Sequence, residues 1–139
     1  MISQTAEYAM RTVLFIAERD DKGPVRAGDL ARALGLPANY IAKTLHLLAR
    51  AGILASTRGK SGGFRLARPA MDVPLLEVVA PFDDIGQRSV CLLGRPQCSD
   101  RTPCTAHARW KEAQEGILAF FRQTTVGDLL AQAGPRRAG

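Results

Sequence analysis

Apolar residues recur at helical spacing from Thr5 to about Arg19, where Ala6, Ala9, Met10, Val13, Ile16 and Ala17 line one face of a first helix. Asp20-Asp21-Lys22-Gly23-Pro24 breaks that pattern. Ala27 to Leu34 reads as a short second helix with Leu30, Ala31 and Leu34 inward, and Gly35 ends it in a tight turn. Pro37 suits the first turn of a third helix, because its missing N–H would be unpaired there anyway. That helix is expected to run to about Ala51, with Ile41, Leu45 and Leu48 inward and Gly52 as its stop.

The period then shortens. Ile53 to Arg58 and Phe64 to Arg68 are short, partly alternating runs joined by Gly59-Lys60-Ser61-Gly62-Gly63, so they predict a β-hairpin. After Pro69, Asp72 is placed to cap a helix through Leu75, Val78 and Val79, followed by an irregular stretch from Asp83 to Pro103. A longer helix is expected from Thr105 to Phe121. Its seam of Ala106, Trp110, Ala113, Ile117 and Phe120 fits either a dimer partner or the first helix of the same chain. Thr125 and Asp128 have the spacing of a capping box for a last short helix, and residues 134–139 read as a flexible tail.

The expected fold is therefore mainly α with a small β-hairpin: a winged helix-turn-helix over residues 1–70, then a sensor loop and dimerisation helix over 71–133. The short turn at Gly35 is the helix-turn-helix itself. At 139 residues the core is thin, and a partner subunit would cover apolar surface.

Charge gives this outline a partner. The net charge is +6, from 19 basic and 13 acidic residues. Seven of the basic residues (Arg32, Lys43, Arg50, Arg58, Lys60, Arg65 and Arg68) lie between Leu30 and Met71, a stretch with no Asp or Glu. The other 12 face all 13 acids, so one segment holds the whole excess, as a surface against a polyanion would. The competing explanation is a solvated face whose acids come from neighbouring elements.

A major groove admits one α-helix. On the third helix, Asn39, Tyr40, Lys43, Thr44 and Leu47 are expected on the side away from the core. Asn39 suits an adenine edge, Lys43 a guanine or a phosphate, and Tyr40 a phosphate or a thymine methyl. Arg58 at the hairpin suits a narrow minor groove, with Lys60 and Arg65 on phosphates. One helix reads few base pairs, so two copies on a palindromic double-stranded site are expected.

The chain opens with no secretion signal and carries no apolar run near the ~20 residues of a membrane span, so a cytoplasmic location is expected and no membrane partner. Three cysteines do not make a disulfide framework. Their spacing, Cys91-x6-Cys98-x5-Cys104-x2-His107, is wider than the CxxC knuckles that grip zinc, and the polar loop between them suits a larger metal centre. A closed zinc tetrahedron and a metal-free thiol redox switch also satisfy these residues. An enzyme does not fit, because His46 and His107 are the two histidines and no nucleophile–base pair has a recognisable spacing.

With these residues in view, the chain resembles the Rrf-type ("Rrf two") winged-helix regulators, the group containing the iron–sulfur repressors IscR, NsrR and RirA. The resemblance rests on Thr5-Ala6-Glu7-Tyr8-Ala9-Met10-Arg11, on Leu36-Pro37-Ala38-Asn39-Tyr40-Ile41, and on the wing Arg58-Gly59-Lys60-Ser61-Gly62-Gly63-Phe64. The three cysteines and Thr124-Thr125-Val126-Gly127-Asp128-Leu129-Leu130 complete it. It implies a homodimeric DNA-binding repressor with swapped long helices. It also implies an iron–sulfur cluster, 2Fe–2S or 4Fe–4S, held by Cys91, Cys98 and Cys104. The fourth ligand it implies is either His107 or Glu7 from the partner subunit.

Overall fold

The structure is a computed structural model that describes residues 2–85, 92–93 and 100–132. In chain order it contains α1 (Gln4–Ala17), α2 (Ala27–Leu34), α3 (Ala38–Arg50), β1 (Leu54–Thr57), β2 (Gly63–Leu66), α4 (Leu75–Val79), α5 (His107–Gln123) and α6 (Val126–Gln132). Each expected helix is present, with ends shifted by a few residues. The sequence of three helices and an antiparallel hairpin is that of a winged helix.

α1 starts where Ser3 can cap it: the Ser3 hydroxyl accepts the Ala6 N–H at 3.1 Å. The Ser3 N–H in turn donates to the Asp83 carboxylate at 2.6 Å, which ties the start of α1 to the segment after α4. Ala6, Ala9, Val13 and Ile16 are fully buried or nearly so, and α1 packs on α2, α3, α4, α6 and β2. It is the central post of the fold. One core joins Leu30 of α2, Ile41, Leu45 and Leu48 of α3, Val78 and Val79 of α4, and Val126 of α6. Burying each large aliphatic side chain contributes about 1.5–3 kcal/mol before entropy is charged against it.

The two glycine stops act through the same geometry. Gly35 has φ 68°, and the N–H groups of Leu36 and Gly35 return to the carbonyls of Ala31 and Arg32 at 3.0 and 3.3 Å. Gly52 has φ 79°, with Ile53 and Gly52 returning to Leu48 and Ala49 at 3.0 and 3.1 Å. Both are Schellman closures, which satisfy the last carbonyls and turn the chain by a left-handed residue. The first sets α2 against α3, and the second delivers Ile53, nearly fully buried, into the hairpin.

In the hairpin Leu54 faces Leu66 and Thr57 faces Gly63. Val25 adds a further bridge to Phe64, with reciprocal hydrogen bonds of 2.8 and 2.7 Å. The wing is thus bonded to the lead-in of α2. A Cβ on Gly62 would collide with the Thr57 carbonyl, so the loop closes this tightly only with glycine there.

Two local expectations are corrected. Pro37 precedes α3 as its cap residue and does not sit in its first turn. Asp72 does not cap α4: it lies in a 3-10 turn, Ala70–Asp72, and Pro74 is the residue before Leu75. The start of α4 is held instead by Thr124, whose carbonyl accepts the Leu75 N–H at 2.9 Å. The capping box expected at α6 is formed on both sides. Thr125 Oγ1 accepts the Asp128 N–H at 3.0 Å, and the Asp128 carboxylate accepts the Thr125 N–H at 2.9 Å.

α5 differs from the rest. Of its 17 residues Phe121 is the buried one. Along the expected seam Ala106, Trp110 and Ile117 are half-buried, Ala113 is exposed and Phe120 is 50% exposed. Its main packing within the chain is against α4. The expected tail, 134–139, lies outside the described residues, and none of the described helices is long and apolar enough to cross a membrane.

Candidate nucleic-acid interface and sensor loop

α3 turns Asn39 and Lys43 outward, both exposed, while Ile41, Leu45 and Leu48 are fully buried. Asn39 Oδ1 accepts the Tyr40 N–H at 3.0 Å and so serves one of the unpaired donors at the helix start. Tyr40 is half-buried. Its ring meets that of Tyr8 edge-on, with centroids 5.5 Å apart and planes at 89°, and Tyr8 in turn carries the Arg11 guanidinium 5.8 Å above its ring. Burial, and secondarily the Tyr8 phenol, push the Tyr40 hydroxyl above its ordinary pKa of 10.0. It is a neutral O–H at physiological pH and can donate.

Thr44 requires a correction. It is 3% exposed, and its hydroxyl donates to the Tyr40 carbonyl at 3.0 Å. Positions 41, 44, 45 and 48 form one helical stripe, so Thr44 belongs to the core face, where bonding back four residues satisfies a threonine hydroxyl. It offers nothing to a groove. Leu47 is half-buried.

In the wing Arg58, Lys60 and Arg65 are all exposed. Two of the seven basic residues in the acid-free segment are neutralised from just outside it: Arg32 by Asp29 and Arg68 by Glu77. The other five are Lys43, Arg50, Arg58, Lys60 and Arg65. They are exposed and have no carboxylate partner among the described residues. They sit on α3 and the hairpin, which pack on each other. The explanation by neighbouring acids therefore holds for two positions and fails for five.

The other candidate site is described in part. Cys91 and Cys98 lie outside the described residues, and among the described residues no three His, Cys, Asp or Glu gather as metal ligands. Cys104 is half-buried at the entrance to α5, and its carbonyl accepts the His107 N–H at 3.0 Å, so the two share one turn. The His107 side chain is 12% exposed, and its Nε2 lies 2.7 Å from Asp100 Oδ1. Lys111 Nζ reaches both Asp100 oxygens at 3.1 Å. His107 first, then Lys111, hold the Asp100 carboxyl below its ordinary value, so it is an anion at neutral pH. Glu7 is exposed in the first turn of α1, a position the helix dipole favours for an acid. Asp100 and Lys111 were not among the expected site residues. The i,i+4 spacing of His107 and Lys111 signals a shared face, but no periodicity marks a loop aspartate.

Residues 2–132 match the Rrf2 family, described as an iron-dependent transcriptional regulator. The chain belongs to the Rrf2 family. The HTH-type transcriptional regulator IscR of Vibrio atlanticus is 30% identical over 129 residues, which is 93% of this chain and 74% of that protein. Among solved structures, CymR, the global cysteine regulator of B. subtilis, aligns with a TM-score of 0.79 at 20% identity over 95% of this chain and 97% of CymR. IscR of T. potens aligns with a TM-score of 0.77 at 20% identity, over 99% and 93%. The fold of this Rrf2 protein is thus the winged helix-turn-helix, and its family consists of transcription regulators, not enzymes.

Proposed function

We propose that this Rrf2 protein is a homodimeric cytoplasmic repressor that binds a palindromic double-stranded operator under the control of an iron–sulfur cluster. The observation that carries the DNA half is the set of five exposed basic residues without acidic partners on α3 and the hairpin. α3 enters the major groove, where Asn39 and Lys43 meet base edges and the Tyr40 hydroxyl donates to a phosphate. Asn39 must release the Tyr40 N–H to offer both its amide atoms to an adenine. Arg58 lies in the minor groove, with Lys60 and Arg65 on phosphates. Two half-sites about one helical turn, ~34 Å, apart require two subunits, and the apolar side of α5 with Trp110, Ile117 and Phe120 supplies the surface that joins them.

Cys91, Cys98 and Cys104 hold the cluster, 2Fe–2S or 4Fe–4S, with His107 or the partner's Glu7 as fourth ligand. What supports this reading is that Cys104 and His107 share a turn and that the imidazole lies 2.7 Å from the Asp100 carboxylate. When bound, the cluster supplies an iron- and redox-sensitive bond between the loop and the start of α5. Cys104 and His107 then fix the entry of α5, the element on which the spacing of the two reading helices depends.

The test is anaerobic purification with a visible spectrum and iron and sulfide counts, followed by binding to palindromes selected from a random library, with and without the cluster at fixed salt. A brown protein whose operator affinity changes on cluster loss is the expected result. A colourless protein with bound zinc would replace the cluster with a tetrahedral ion, and equal binding in both states would remove the switch.

A further inference from the structure

We infer that His46 is a further specificity-determining residue on α3, donating a hydrogen bond from its imidazole to a guanine edge in the major groove. This rests on the proposed operator binding and deepens it. An α-helix turns about 100° per residue, which sets Ile41, Thr44, Leu45 and Leu48 on one buried stripe. On the same count Asn39, Lys43, His46 and Arg50 fall within about 30° of the direction opposite that stripe. All four are exposed. The outward face is thus a line of four polar side chains over about three turns, and Asn39 and Lys43 are its first half. Nothing in the fold holds the ring of His46: no hydrogen bond or ion pair of its side chain is found among the described residues. A helical side chain leans back toward the N-terminus, so the imidazole covers the turn that carries Ala42 and Lys43. Ala42 is exposed and ends in a methyl group, which leaves the ring room to reach a groove floor.

Charge and hydrogen-bonding type then select the base. Lys43 lies three residues before His46 and Arg50 four after it, so both are its neighbours on the helix surface. Both are donors without an acceptor, and neither has a carboxylate partner among the described residues. Between two cations the favoured base edge is one that presents acceptors and no donor. In the major groove that edge is guanine's, through N7 and O6. Adenine and cytosine each bring an amino donor there, and thymine sets a methyl group beside its one acceptor. An imidazole has an N–H to donate in either charge state, so it serves the guanine edge in both.

The experiment carries the anaerobically purified full chain, His46→Ala and His46→Gln through one selection of palindromes from a random library at fixed salt. Affinity for the wild-type operator is then titrated with 7-deazaguanine, which lacks the N7 acceptor, in place of each guanine in turn. His46 is exposed and alanine and glutamine are better helix formers, so both variants keep the fold. The expected result is a guanine at one pair of each half-site that His46→Ala no longer selects, with affinity for the wild-type operator down about 5-fold. His46→Gln should turn the preference at that pair to adenine, whose N6 and N7 a carboxamide grips. 7-Deazaguanine there should weaken wild type by the same factor and leave His46→Ala unaffected. Equal loss on all sequences with a shallower salt slope would make His46 a phosphate contact. That outcome, or an unchanged selection, overturns the base contact and leaves operator binding standing. Wild type that selects no palindrome overturns both.

Discussion

α3 carries the proposed reading face and α5 the proposed dimer surface, and the two are packed in opposite ways. α3 buries Ile41, Thr44, Leu45 and Leu48 among its 13 residues, and Gly52 closes its C-terminal end. α5 is longer, at 17 residues, and buries Phe121. A helix proposed to read DNA has to present its side chains at constant positions, and α3 has a buried stripe within its own chain that would hold it so. α5 leaves most of its apolar residues half-exposed, and in the proposed dimer a second subunit would cover them. The difference predicts that stability resides on the α3 side and sensitivity to assembly on the α5 side.

The largest expected effect tests the α3 side of that contrast. Leu45 is fully buried, and Leu45→Ala should cost about 2–5 kcal/mol in urea unfolding, through lost transfer energy and a cavity. Phe120→Ala should leave the fold of the single chain nearly untouched, because half of that ring is exposed already. Its effect should appear in sedimentation equilibrium instead, as a rise in the dimer dissociation constant worth about 1–3 kcal/mol, which is the cost of truncating an aromatic anchor. A wild-type chain that sediments as a monomer at every concentration would sink the proposed role of α5.

What the sequence revealed divides along the same line. Local signals were readable: the αL glycines after α2 and α3, the glycine-rich wing, and the reciprocal Thr125–Asp128 cap each depend on a few adjacent residues. What the sequence does not show is contact with a partner that lies far along the chain or just beyond a segment's edge. Asp72 has a capping side chain, but it lies in the 3-10 turn Ala70–Asp72, and Val73 and Pro74 separate it from Leu75. The acid-free stretch between Leu30 and Met71 is real, but Asp29 stands one residue before it and Glu77 six after it, and those two take Arg32 and Arg68. The Asp100–His107 contact joins a loop residue to a helix start, and no period encodes such a pair.

A smaller effect sharpens which charges face DNA. Arg58→Ala should cost about 1–3 kcal/mol of operator affinity and weaken preference for A·T-rich flanks, if the guanidinium lies in the minor groove. Lys60→Ala should weaken binding to all sequences alike and flatten the salt dependence by about one unit of slope. Arg68→Ala is the contrasting variant. Its guanidinium is paired with Glu77 on the folded protein, so the slope should stay as it is. A titration in which Arg68 changes the slope and Lys60 does not would reverse the assignment of paired and unpaired charge.

The smallest effect concerns Thr44, and it is informative because it should be small. Thr44→Val keeps the β-branched shape on the core stripe and removes the hydroxyl that now donates to the Tyr40 carbonyl at 3.0 Å. The stability cost should stay near 1 kcal/mol, the usual net worth of one hydrogen bond, since the bond lost is internal to the helix. Operator affinity should change by less than about twofold, because a lost base contact costs 1–3 kcal/mol and no such contact is available to a side chain 3% exposed. Asn39→Ala in the same assay sets the scale: it lies one turn earlier, it is exposed, and its loss should fall in that 1–3 kcal/mol range at a single base pair. If Thr44→Val lost specificity as Asn39→Ala does, α3 would have to rotate about its axis on binding DNA, and a fixed core stripe could not be what positions the reading face.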